Sequence, residues 1–137
     1  MREIRVSSLI NLVAVWIEFV IASMVVYLDP GDNDFPYTKL VFSYPGVLEE
    51  IHRIWALVIL VAMLYTLSVA LSKRSLAPGG YLKIACVTAA LFVLQVSFGA
   101  ITIWSYDYPP YVILHEGNAS LLMFTSALLF AKAWMTS

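Results

Sequence analysis

The densest ionisable chemistry in the chain is the stretch Glu49-Glu50-Ile51-His52-Arg53, which heads an apolar run from Ile54 to Leu71. On a helix, Glu49, His52 and Arg53 are related by three and four residues and share an arc roughly 100° wide, while Glu50 turns away. A carboxylate, an imidazole and a guanidinium then face the same neighbour, where a helix would enter a membrane and charge is costly. The only other histidine, His115, stands near the head of the last apolar run. Imidazole is a common metal ligand, so one His from each of two helices can grip a single metal centre. Glu49-x-x-His52 is also half of a carboxylate-bridged di-iron motif, which needs the motif on two helices and two further glutamates. His115 and Glu116 are adjacent and lie on different faces, so one chain does not complete that set. A histidine-rich membrane oxygenase fails on the count of two histidines.

The elements that must position these groups follow from composition. With 61% apolar and 12% charged residues among 137, the chain reads as an integral membrane protein. Its net charge is −1 and its longest basic run is Lys73-Arg74, which excludes an electrostatic nucleic-acid surface. Cys86 is the single cysteine, so no intrachain disulfide forms, and its apolar setting suggests a small buried filler. Segments 6–28, 50–71, 82–104 and 111–134 are each long enough to cross a bilayer, which takes about 20 residues. The first is too long for a secretory signal and reads as a retained anchor. An acidic loop at 29–43 and turn-forming connections at 73–80 and 105–110 separate them. The expected fold is an all-α, four-helix transmembrane bundle forming one domain over residues 1–137. Arg2, Arg5, Lys73, Arg74, Lys83 and Lys132 fall at one set of ends, which predicts both termini in the cytoplasm of a multi-pass plasma-membrane protein. His52 and His115 then share the outer ends of their helices at similar depth. Each follows a Tyr-Pro pair, Tyr44-Pro45 and Tyr108-Pro109, at spacings that differ by one, a faint twofold repeat that places a site between the second and fourth helices.

Polar stripes mark the inward faces. Thr88, Gln95, Gly99 and Thr102 share one face of the third segment, where Gly99 allows a flat macrocycle to approach the backbone or, equally, a helix to pack closely. His115, Asn118, Ala119, Leu122 and Ser126 line the fourth, and Ser7, Asn11, Glu18 and Ala22 the first. Glu18 falls near the bilayer centre, where a charge costs about 2.5 to 3.5 kcal/mol, so it is expected to be neutral or paired. The readings open for it are a proton path, a partner across a subunit contact, or a protonated acid bonded to a neighbouring helix. Arg53 reads either as a contact for a ligand carboxylate or as a side chain snorkelling to lipid phosphates. A pair of imidazoles suits haem, whose iron accepts axial His on both sides of the ring. Trp55, Phe98, Trp104 and Phe124 are candidates to line such a slot, or to serve as packing and interface anchors.

Together, Glu49-x-x-His52-Arg53, Gln95-x-x-x-Gly99-Ala100-x-Thr102 and His115 resemble haem A synthase, over about three of the four helices, with the first motif the most specific. The usual member of that family has eight helices in two four-helix halves, and this chain resembles one half. The resemblance implies oxidation of a ring methyl of substrate haem O to the formyl of haem A, with haem B as cofactor. His52 and His115 would be the axial ligands, Glu49 the catalytic carboxylate, Arg53 a propionate or structural contact, and Gln95 and Gly99 part of the cofactor site. Iron held by two imidazoles has no open position for dioxygen, so either one His leaves or electrons are drawn from the ring and water supplies the oxygen, a route that Glu49 suits. Two departures matter: residues 29–43 lack the cysteine pair of many members, and a single half lacks its companion site. A homo-oligomer is therefore expected, with haem O synthase or oxidase assembly factors as further partners. The alternatives are a bis-histidine haem B electron-transfer cytochrome, in which Glu49 has no necessary part, and a haem-free assembly subunit.

Overall fold

A computed structural model describes residues 1–28 and 43–135. It contains four helices, α1 (Arg2–Leu28), α2 (Val47–Ser72), α3 (Tyr81–Trp104) and α4 (Pro109–Met135), each long and apolar enough to span a membrane, and no strand among the described residues. The chain is a multi-pass membrane bundle. Helix α1 begins four residues before the apolar run does, because Arg2, Glu3 and Arg5 continue the backbone ladder beyond it. Helix α2 begins at Val47, so Glu49 and Glu50 lie in its first turn rather than ahead of it. Proline at the first position of α4 suits its fixed φ and missing N–H. Gly80 enters α3 at φ 80°, a left-handed conformation that glycine adopts without steric cost.

Around the bundle, α1 packs on α2 and α4, and α3 packs on α4 and α2. The pairs α1/α3 and α2/α4 are diagonal and make no backbone approach. A site between α2 and α4 would therefore lie across the bundle, between helices that are not packed neighbours.

Two apolar layers fill the interior. One, near the chain termini, comprises Ile4, Val69, Ala70, Tyr81, Ala85, Leu129 and Ala133. The other, at mid-height, comprises Ala14, Val15, Ile59, Ala62, Met63, Phe92 and Leu122. Neutral polar residues are also buried in the half nearer the termini. Asn11 Nδ2 donates to Ser126 Oγ at 3.0 Å, and Thr66 Oγ1 donates to the Ser7 carbonyl at 3.1 Å. Lipid tails are as apolar as leucine, so helices in a membrane associate through close packing and such hydrogen bonds. The outward residues, Trp16, Leu57, Val61 and Val93 among them, are apolar and exposed. Cys86 shares that exposed surface, contrary to the expectation of a buried filler. In a membrane protein both surface and interior are apolar, so hydrophobicity alone does not say which way a small residue faces.

The twofold repeat is far clearer in space than in sequence. The shift in number that carries α1 onto α3 matches the buried residues Ile4, Asn11 and Val15 with Tyr81, Thr88 and Phe92. The shift that carries α2 onto α4 matches Ile59, Met63 and Ala70 with Leu122, Ser126 and Ala133, also all buried. Hairpin α1–α2 and hairpin α3–α4 are two versions of one unit.

Candidate functional site

The end of the bundle far from both termini holds the chemistry. His52 is the sixth residue of α2 and His115 the seventh of α4, so the two rings stand at matching positions along their helices. Each ring meets a polar side chain on the preceding helix. His52 Nδ1 lies 3.2 Å from Glu18 Oε1, and Gln95 Nε2 lies 3.2 Å from both Nδ1 and Nε2 of His115. Each histidine also has, three residues on, a donor to a backbone carbonyl of the preceding helix. Trp55 Nε1 donates to Ala14 O and Asn118 Nδ2 to Leu91 O, both at 2.9 Å. Ala14 is four residues before Glu18, and Leu91 four before Gln95. The hairpins therefore correspond side chain by side chain around their histidines.

In the second hairpin the hydrogen bonds fix their own direction. The Leu91 carbonyl only accepts, so Asn118 must present its NH₂ there, and the same Nδ2 donates to Gln95 Oε1 at 2.7 Å. Gln95 is left with its NH₂ toward His115, 3.2 Å from both ring nitrogens, so a donor rather than an acceptor faces that ring. In the first hairpin a carboxylate faces the ring, and an ionised carboxylate only accepts. The Glu18 contact is at hydrogen-bonding distance without hydrogen-bond alignment, and His52 Nδ1 and Glu18 Oε2 are both buried with no hydrogen-bond partner.

Arg53 draws the acids of the first turn together. Its Nη2 bonds Glu49 Oε1 one turn back, and its Nη1 lies 3.8 Å from Glu50 Oε1. Glu50 is only 4% exposed, so the expectation that it turns away is overturned; the length of arginine spans the angle that separates neighbouring positions on a helix. Arg53 is itself largely buried between the acids, rather than extended to lipid phosphates. Glu18, expected to be neutral or paired near the bilayer centre, lies beside His52 of the same chain, on α2. Gly99 faces the His115 ring, and a Cβ there would stand 3.1 Å from Cε1, so the ring occupies the space that glycine leaves. Trp104 and Phe124 are about three-fifths exposed on the outer surface and line no interior slot, whereas Trp55 and Phe98 are half-buried.

This donor set suits haem better than a bare metal ion. Among the described residues no group of three or more His, Cys, Asp or Glu is placed to hold a metal, which leaves the di-iron alternative without ligands, whereas haem needs two imidazoles. Buried atoms without partners cluster here, His52 Nδ1, Glu18 Oε2 and Thr102 Oγ1, each costing about 1–3 kcal/mol while unsatisfied. A guest at this end gives them a role. At His115 the Gln95 amide packs against the ring without lying along either nitrogen's lone pair, which leaves the ring able to bind iron.

Sequence reasoning named His52, His115, Glu49, Arg53, Gln95 and Gly99, and the structure gathers all six at this end. It missed the pairing of Glu18 with His52, the orienting part of Asn118 and the inward turn of Glu50. The acid in mid-membrane signalled a partner, but which one depends on how α1 and α2 dock. Asp29, Asp32, Asp34 and Lys39, used to orient the chain, lie outside the described residues.

Searches of curated proteins and of solved structures returned no match. The model of the cytochrome oxidase assembly protein family, COX15-CtaA, matches residues 12–127, which takes in every residue of both histidine sites. With that match covering most of its length, the chain belongs to the haem A synthase family of cytochrome oxidase assembly proteins.

Proposed function

We propose that this chain oxidises the ring methyl of haem O to a formyl group, yielding haem A, with haem B held by His52 and His115. The observation that carries the reading is a pair of imidazoles at matching positions along their helices, one per hairpin, with an arginine-held carboxylate one turn from only one of them. Bound haem supplies the one-electron redox chemistry. Methyl and water become formyl with loss of four protons and four electrons, the electrons leaving one at a time to an external one-electron acceptor, so the site needs a group that accepts protons and favours positive charge at the ring edge. Glu49 fits that part: it is partly buried, and Arg53 fixes its orientation. Gln95 and Gly99 hold and accommodate the His115 ring. One histidine pair serves one porphyrin, so a second copy of the chain is needed to carry cofactor and substrate together. On this reading the basic residues near the helix ends put both termini in the cytoplasm and the bundle in the plasma membrane, with haem O synthase or oxidase assembly factors as neighbours.

The test is pigment extraction from cells that make haem O and express this chain. A new haem A peak is expected, and Glu49→Ala should keep bound haem while turnover falls by about 10²–10⁴. A purified protein that stays colourless when saturated with haem overturns the reading. The second reading, an electron-transfer cytochrome, draws on the same histidine pair, which suffices for it; an unchanged spectrum and unchanged function in Glu49→Ala would favour it.

A further inference from the structure

The two histidine sites are built alike but finished differently. At corresponding positions the first hairpin has Glu18 and the second has Gln95, so one ring meets a carboxylate and the other an amide. We infer that Glu18 is a positioning residue that makes His52 the standing haem ligand, while Gln95 makes His115 the exchangeable one. This rests on the haem reading above.

The argument is one of donors and acceptors. A carboxylate accepts the Nδ1–H of a neutral imidazole, which leaves the lone pair on Nε2 free for a metal. Carboxylates in this role fix the ring's orientation and strengthen it as a donor, and their loss typically costs 10–100-fold in metal affinity. His52 Nδ1 has no aligned hydrogen-bond partner among the described residues, and the Glu18 carboxylate, 3.2 Å away with Oε2 also unsatisfied, is the acceptor within reach of it. His115 is set in the opposite sense. Asn118 orients the Gln95 amide so that its NH₂, a donor, faces the ring at 3.2 Å from both nitrogens and offers no acceptor for a ring N–H. His115 therefore lacks the acceptor that would fix its tautomer and orientation, whereas His52 has a carboxylate beside Nδ1. The two axial positions are therefore unequal before any haem arrives.

The test compares haem binding and midpoint potential in purified full-length protein. His115→Ala is expected to retain haem and, when reduced, to bind carbon monoxide, while His52→Ala loses at least tenfold in haem affinity relative to it. Glu18→Gln keeps the volume and removes the charge. It should raise the midpoint potential, since a weaker donor favours ferrous iron, by at least a tenfold change in the ferrous-to-ferric ratio at fixed potential, which is 59 mV for one electron. Equal haem affinity in the two histidine variants, or an unmoved potential in Glu18→Gln, overturns the inference and leaves the haem reading intact. Failure of the wild-type protein to bind haem overturns that reading instead. Should Glu18→Gln fail to fold, redox-difference infrared spectra of protein labelled with isotopic glutamate decide: a glutamate carboxylate band that persists in Glu49→Ala and is lost in His52→Ala supports the pairing, and the absence of such a band overturns it.

Discussion

Hairpin α1–α2 and hairpin α3–α4 share a scaffold and differ where chemistry is done. Both place a histidine near the start of their second helix, and both tie the residue three further on to a carbonyl of the first. Around His52, however, stand Glu18, Glu49, Glu50 and Arg53; around His115 stand Gln95, Gly99 and Asn118. One copy of the unit is ionic and the other is neutral. A repeated fold thus fixes where two histidines stand, and the unrepeated side chains decide the surroundings of each.

Breaking the ionic side should have the largest effect. Arg53→Ala leaves Glu49 and Glu50 in a largely buried place without their shared cation, and removing one partner of such a cluster costs about 3–5 kcal/mol. Denaturation in detergent should show that loss, and Arg53→Lys, which keeps the charge without the fork, should recover only part of it. On the neutral side the sharpest probe is Gly99→Ala. The added Cβ meets His115 Cε1 at 3.1 Å, so the ring must shift off Gln95 at a cost of about 1–3 kcal/mol. Ala22 occupies the corresponding position of the first hairpin, so this variant makes the two alike; an unchanged His115 resonance in NMR would count against the packing described. The smallest effect belongs to the seam between hairpins. Ser126→Ala removes the partner of Asn11 and should cost about 0.6 kcal/mol, with the haem spectrum unmoved.

Much of this was legible because a membrane imposes simple rules. Four apolar runs gave four helices, misjudged by a few residues at ends where charged side chains extend the ladder into the interface. The inward faces of α3 and α4 followed from the spacing of polar residues, and Asn118, Leu122 and Ser126 are indeed buried. What escaped lies between helices. No periodicity within α1 announces that Glu18 meets His52, because that contact depends on the height at which two helices dock. The repeat was faint in sequence because the units conserve positions rather than residue types: Trp55 and Asn118 do one job with different chemistry.

The mid-height layer of Ala14, Val15, Ile59, Ala62, Met63, Phe92 and Leu122 separates the serines, threonines and asparagine of one half from the histidines of the other. Its seven side chains offer no proton relay, so under the proposed reaction protons released beside His52 would leave on the near side of this layer, and turnover would move no charge across the full width of the membrane.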